Sequence, residues 1–156
     1  PEFEDTNFML SALNAYGVLE DDSTKRWAKA FLIAPAIRVI FELSLLALDK
    51  SCDEIHLPNI GVSAKHKENV SYVHRLFKNN KFQDYLQAGR IVFDTYQEAH
   101  SVIENTDFGE SVEYSSLGSH KSMKDYDIDT IMRLSNDAVL FAMLCQQYVQ
   151  FKKQGV

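Results

Sequence analysis

The chain has 156 residues, of which 46% are hydrophobic and 24% charged, which excludes a disordered composition and leaves enough length to close one core without disulfides or a structural metal. Its formal net charge of −6 excludes a general nucleic-acid surface, because phosphate contacts need a field of Lys and Arg to release counterions. Six glycines and three prolines give little turn material for many short strands, so long helices are expected.

In chain order, Pro1-Glu2-Phe3 resembles a cloning junction, so residues 1–3 read as a scar and 4–156 as a single helical domain cut from a longer protein. The start is polar and acidic, unlike a signal peptide. Phe8 to Tyr16 predicts a short amphipathic helix that stops at Gly17, and Ser23 or Thr24 can cap the next one. From Trp27 to Lys50 the sequence is almost continuously apolar and predicts a first core helix, with Pro35 starting or kinking a section. At a bilayer centre Arg38 and Glu42 would each cost about 2.5–3.5 kcal/mol, which favours a buried helix over a membrane span. These two are four residues apart on one face and can pair with each other or with polar groups of a neighbouring element.

After the loop from Ser51 to Ser63, a helix is predicted from Ala64 to about Asn79, with Val70, Val73, Leu76 and Phe77 turned inward. Phe82, Tyr85 and Leu86 suggest a short helical turn. A further helix runs from about Gly89 to Glu104, with Val92, Tyr96, Ala99 and Ile103 on one face. Thr106 to Lys124 contains Gly109, Gly118 and several serines and reads as a long loop. Asp127 or Asp129 caps a last helix that continues to about Lys153, where Lys152 and Lys153 complement its negative end. Its centre, Ala138 to Cys145, is apolar throughout. The expected fold is an all-α bundle of about five helices with the two apolar helices at its centre. Two such helices in a small domain leave a face short of cover, which predicts a homodimer or a docked protein partner.

The sequence lacks GxGxxG, P-loop, GxSxG and HExxH signatures. His56, His66, His74, His100 and His120 do not assemble a metal site by spacing. Among them His66 and His74 read as solvated surface residues and His100 as a half-buried packing or hydrogen-bonding one. Asp125, Asp127 and Asp129 alternate as in a calcium loop but lack its glycine and closing glutamate, so capping explains them better. Cys52 and Cys145 show no ligand or disulfide spacing and point to a reducing cytoplasm. Of these, Cys145 reads as a core thiol, and Cys52, beside Asp53 and Glu54, lacks the electropositive surroundings of a reactive thiolate. No metal and no cofactor is expected. The candidate binding residues are Arg38 and Glu42, together with Ser119, His120 and Lys121 in the polar stretch Tyr114 to Ser122, where Gly118 permits a tight turn beside groups suited to an anion or polar partner.

Three segments together resemble the HEPN-like helical domains of prokaryotic toxin, abortive-infection and phage-defence proteins. They are Ala36-Ile37-Arg38-Val39-Ile40-Phe41-Glu42-Leu43-Ser44-Leu45, similar to a long early helix, Leu117-Gly118-Ser119-His120-Lys121-Ser122, similar to the segment before a final helix, and the apolar last helix. In active members the resemblance implies a metal-independent ribonuclease with an arginine about four to six residues before a histidine, activating a ribose hydroxyl and stabilising phosphorane charge. Here Tyr114, Ser115 and Ser116 occupy those positions ahead of His120. The resemblance therefore implies a non-catalytic dimerisation or partner-binding domain of a defence or regulatory protein. One alternative is a ribonuclease built from His120 with Arg38 or Arg90, for which RNA is the partner. Another is a helical interaction domain of a eukaryotic or viral protein.

Overall fold

The computed structural model describes residues 3–15, 26–89, 96–115 and 128–155. Among them every regular element is helical: α1 (Glu4–Ala15), α2 (Arg26–Ser51), a single 3-10 turn (Ser63–Lys65), α3 (His66–Phe77), α4 (Asn80–Gly89), α5 (Tyr96–Asn105), α6 (Phe108–Tyr114) and α7 (Ile128–Lys153). Seven α-helices stand where about five were expected. The added ones are short. Residues 80–89 form a ten-residue helix rather than a turn, and the expected loop after Thr106 begins with α6.

The two longest helices, α2 and α7, each have 26 residues and pack together more extensively than any other pair of elements. Phe41 meets Phe141 with ring centroids 5.2 Å apart, and Glu54, just past the end of α2, reaches Lys152 near the end of α7 at 2.8 Å. Partner numbers rise together, so α2 and α7 run parallel. Parallel neighbours cannot be joined by a short turn, and α3 to α6 lie between them in sequence. Pro35 lies within α2 without ending it, although it removes the amide that would bond the carbonyl four residues back. Ser44 is fully buried in α2, and its hydroxyl is satisfied by donating to the Ile40 carbonyl at 2.7 Å.

The expected inward stripe of α3 is present in Val70, Val73 and Phe77, all fully buried, with Leu76 partly so. Phe77 continues the aromatic core to Phe141 and Phe108, while Phe82 of α4 packs on Tyr148 and Phe151 of α7. On α5, Ala99 and Ile103 face inward as expected. The side chains of Val92 and Tyr96 lie outside the described residues. On α1, Phe8 is 73% exposed, so the apolar face expected there is not where that side chain points. Among the described residues no helix is long and apolar enough to cross a membrane.

Candidate functional site

Solvent meets the two central helices differently. On α7, Met132, Asn136, Val139, Met143, Gln146 and Gln150 recur at alternating spacings of four and three, the period that holds a seam on one side of a helix. Met132 and Met143 are 37% and 38% exposed, Asn136, Gln146 and Gln150 are exposed, and Val139 is half-buried. No charged residue occurs from Ala138 through Phe151. Val39 and Leu46 are similarly exposed on α2, but Arg38, Glu42, Asp49 and Lys50 are interspersed with them. At its C-terminal end the α7 seam borders a cleft of about 420 Å³, where Gln146, Val149, Gln150 and Lys153 face Glu4 and Asn7 of α1 and the preceding Phe3.

A second feature is the polar cluster at the start of α3. Its first residue, His66, is only 3% exposed, which corrects the expectation of a solvated side chain. The Nε2 atom lies 3.6 Å from Glu42 Oε2, an electrostatic contact longer than a hydrogen bond, and Nδ1 is buried without a hydrogen-bond partner. Burial pushes the imidazole pKa below its ordinary value; Glu42 opposes this and Arg38 adds to it. The ring is therefore held neutral between a carboxylate and a guanidinium. The structure thus gives Arg38 and Glu42 a common neighbour on another element, as their spacing allowed.

The junction of α3, α6 and α7 is also polar. On α3, His74 is half-buried, a second departure from the solvated reading, with its ring edge-on to Phe108 at 4.9 Å. Its Nε2 lies 2.6 Å from the Ile103 carbonyl, which accepts only, so the hydrogen is assigned to Nε2. Burial lowers this imidazole's pKa, against the pull of that carbonyl. A Cβ at Gly109 would lie 2.6 Å from Ser71 Oγ, so glycine is what lets α6 approach α3 this closely. Beside that approach Lys67 pairs with Glu113. Fully buried Ser111 has its hydroxyl 2.6 Å from Asp137 Oδ2 of α7 and 3.1 Å from the Asp107 carbonyl. Burial raises the Asp137 pKa, while Ser111 and Arg133 pull it down.

His100 hydrogen-bonds through Nδ1 to Gln83 Oε1 at 3.0 Å as expected, but the residue is exposed rather than half-buried. The two cysteines are free and buried, and burial raises both thiol pKa values. Cys52 does have cations near it, Lys152 and Lys153, contrary to the reading from its sequence neighbours, yet desolvation outweighs them. No group of three or more potential metal ligands occurs among the described residues. Ser119, His120 and Lys121, and with them Arg90, lie outside the described residues.

Sequence reasoning missed three features. The α7 seam has a readable signal in its alternating spacing, masked by the stronger signal of apolar residues on every side. The helix α6 has one in Asp107 followed three residues later by Glu110, and the Asp107 side chain does accept from the Glu110 amide at 2.9 Å. For the burial of His66 no local signal exists, because it follows from how α3 meets α2. Compared with family models, curated proteins and solved structures, the chain matches none.

Proposed function

We propose that this chain is a non-catalytic helical interaction module of a prokaryotic defence or regulatory protein, and that it pairs with a second copy of itself through the outer side of α7. The observation that carries this reading is the uncharged 4-3 seam from Met132 to Gln150. A chain of net charge −6 repels its own copy, and from Ala138 to Phe151 this strip offers an approach free of like charges. Its polar members, Asn136, Gln146 and Gln150, are carboxamides, which both donate and accept and so can pair with their own copies across a two-fold axis. The non-catalytic part of the reading rests on the HEPN-like resemblance without its arginine–histidine pair. His66, the histidine that does lie near Arg38, is too enclosed to reach an RNA backbone.

The strip is about 27 Å long at 1.5 Å per residue and about 10 Å wide, so it presents roughly 300 Å². Stable interfaces bury about 800 Å² on each partner. Even with the α1 side of the cleft added, the pairing is weak and concentration-dependent. Light scattering over a concentration series tests this. The expected result is a mass that climbs from one chain toward two, with Met143→Lys holding the protein at one chain while its circular dichroism is unchanged. A mass of one chain at the highest concentration reached, or a dimer indifferent to Met143→Lys, overturns the reading.

A further inference from the structure

The α7 seam reads the same from either end. From Met132 to Gln150 its spacings run 4-3-4-3-4, and the next three-residue steps at the two ends reach Asp129 and Lys153, both exposed. In a seven-residue repeat, Asp129, Asn136, Met143 and Gln150 share one seam position, and Met132, Val139, Gln146 and Lys153 share the other. The centre of the seam lies level with Phe141, and reversing the helix about that level exchanges the two sets residue for residue. Asp129 changes places with Lys153, Met132 with Gln150, Asn136 with Gln146, and Val139 with Met143.

A two-fold axis crossing the helix at this level brings each residue against its exchange partner in a second copy, whereas an axis along the helix brings each against itself. The crossing axis sets Asp129 against Lys153 at both ends, carboxamide against carboxamide inside them, and Val139 against Met143 beside the axis. The parallel alternative sets Asp129 against Asp129 and Lys153 against Lys153, and lays the two helix dipoles in the same sense. Of the five charged residues on α7, three are turned to their own chain: Arg133 lies 6.0 Å from the Tyr114 ring, Asp137 accepts from Ser111, and Lys152 reaches Glu54. The other two are those that close the seam. The one unlike pair, Met132 with Gln150, falls at the cleft beside α1, where Val149 and Phe3 give an incoming methionine apolar groups to meet.

Resting on the self-pairing put forward above, we propose that the two copies lie antiparallel, in the register that joins Asp129 of each to Lys153 of the other. Exposed ion pairs add little strength, so the charged ends set direction and register while the central layers hold the pair.

Cross-linking with a short bismaleimide reads the direction. In an antiparallel pair, position 136 of one copy lies at least about 15 Å from position 136 of the other, ten residues at 1.5 Å each, but meets position 146. Asn136→Cys mixed with Gln146→Cys is therefore expected to give a cross-linked dimer, and either variant alone to give little more than the wild type, whose own cysteines are buried. Self-cross-linking of Asn136→Cys as efficient as that of the mixture overturns the proposal. Light scattering at low salt reads the register. Asp129→Lys and Lys153→Asp are each expected to weaken pairing about fivefold, and the double exchange to restore it. Single variants that pair as tightly as the wild type overturn the proposal, because in a parallel pair they only swap one like-charged contact for another. A wild-type mass of one chain throughout overturns the self-pairing as well, whereas a doubled mass without these patterns overturns the antiparallel register alone.

Discussion

The contact between α2 and α7 and the contact between α3 and α6 are built on opposite principles. The first is aromatic and aliphatic: Phe41 against Phe141, with Ile37, Leu45, Ala138 and Cys145 buried nearby and Ser44 satisfied by its own helix. The second sets polar groups beside the Phe77–Phe108 ring contact, with a glycine at the closest approach, an ion pair beside it and a hydroxyl shared with α7. An apolar contact stabilises in proportion to area and is indifferent to pH. A polar junction depends on shape and protons, so the difference separates what holds this molecule together from what can respond to its surroundings.

Substitutions of different kinds should sharpen that division. Phe141→Ala removes a ring that touches Phe41, Phe77 and Phe108 together, and is expected to destabilise by about 3–5 kcal/mol in urea unfolding, equally at pH 5 and pH 7. A loss under about 1 kcal/mol would mean that α2 and α7 are not the centre of the core. Gly109→Val should act at the other contact by overpacking, because its Cβ already meets Ser71 Oγ at 2.6 Å, with a loss of about 1–3 kcal/mol. Asp107→Ala removes the cap of α6 and is expected to lose about 1 kcal/mol. If Gly109→Val proved neutral, the close approach of α3 and α6 would be refuted.

Legibility in the sequence follows the same division. Apolar runs announced α2 and α7 nearly to their ends, since a helix apolar on every side has one place to go. The inward stripe of α3 was readable because Val70, Val73 and Phe77 recur at helical spacing. What escaped depends on short or distant relations. With seven residues, α6 is too brief for periodicity to register, and Gly109, which marks a loop in sequence, is there to let two helices approach. The site around His66 joins residues 24 apart from Glu42, and nothing local to His66 says that it is enclosed. Arg38 and Glu42 were singled out through their shared face, which is a property of one helix. Their partner was not, because it belongs to another.

The smallest expected effect concerns the histidines. Both His66 and His74 have imidazole pKa values lowered by burial, so the fold prefers their neutral forms. For a group that must charge on losing its fold, unfolding binds protons as pH falls below the unfolded value of about 6.5. Stability is therefore fully present above that value and declines as pH drops through it toward the lower folded values. Asp137 works in the opposite sense, gaining stability with acid, so the two must be separated. In an Asp137→Asn background the urea midpoint is expected to fall between pH 7 and pH 5, and His74→Gln should flatten part of that slope while its amide still donates to the Ile103 carbonyl. A midpoint that holds constant or rises toward pH 5 in that background would show that these rings are charged in the fold, and would place His66 in a full ion pair with Glu42 rather than in the neutral contact its burial implies.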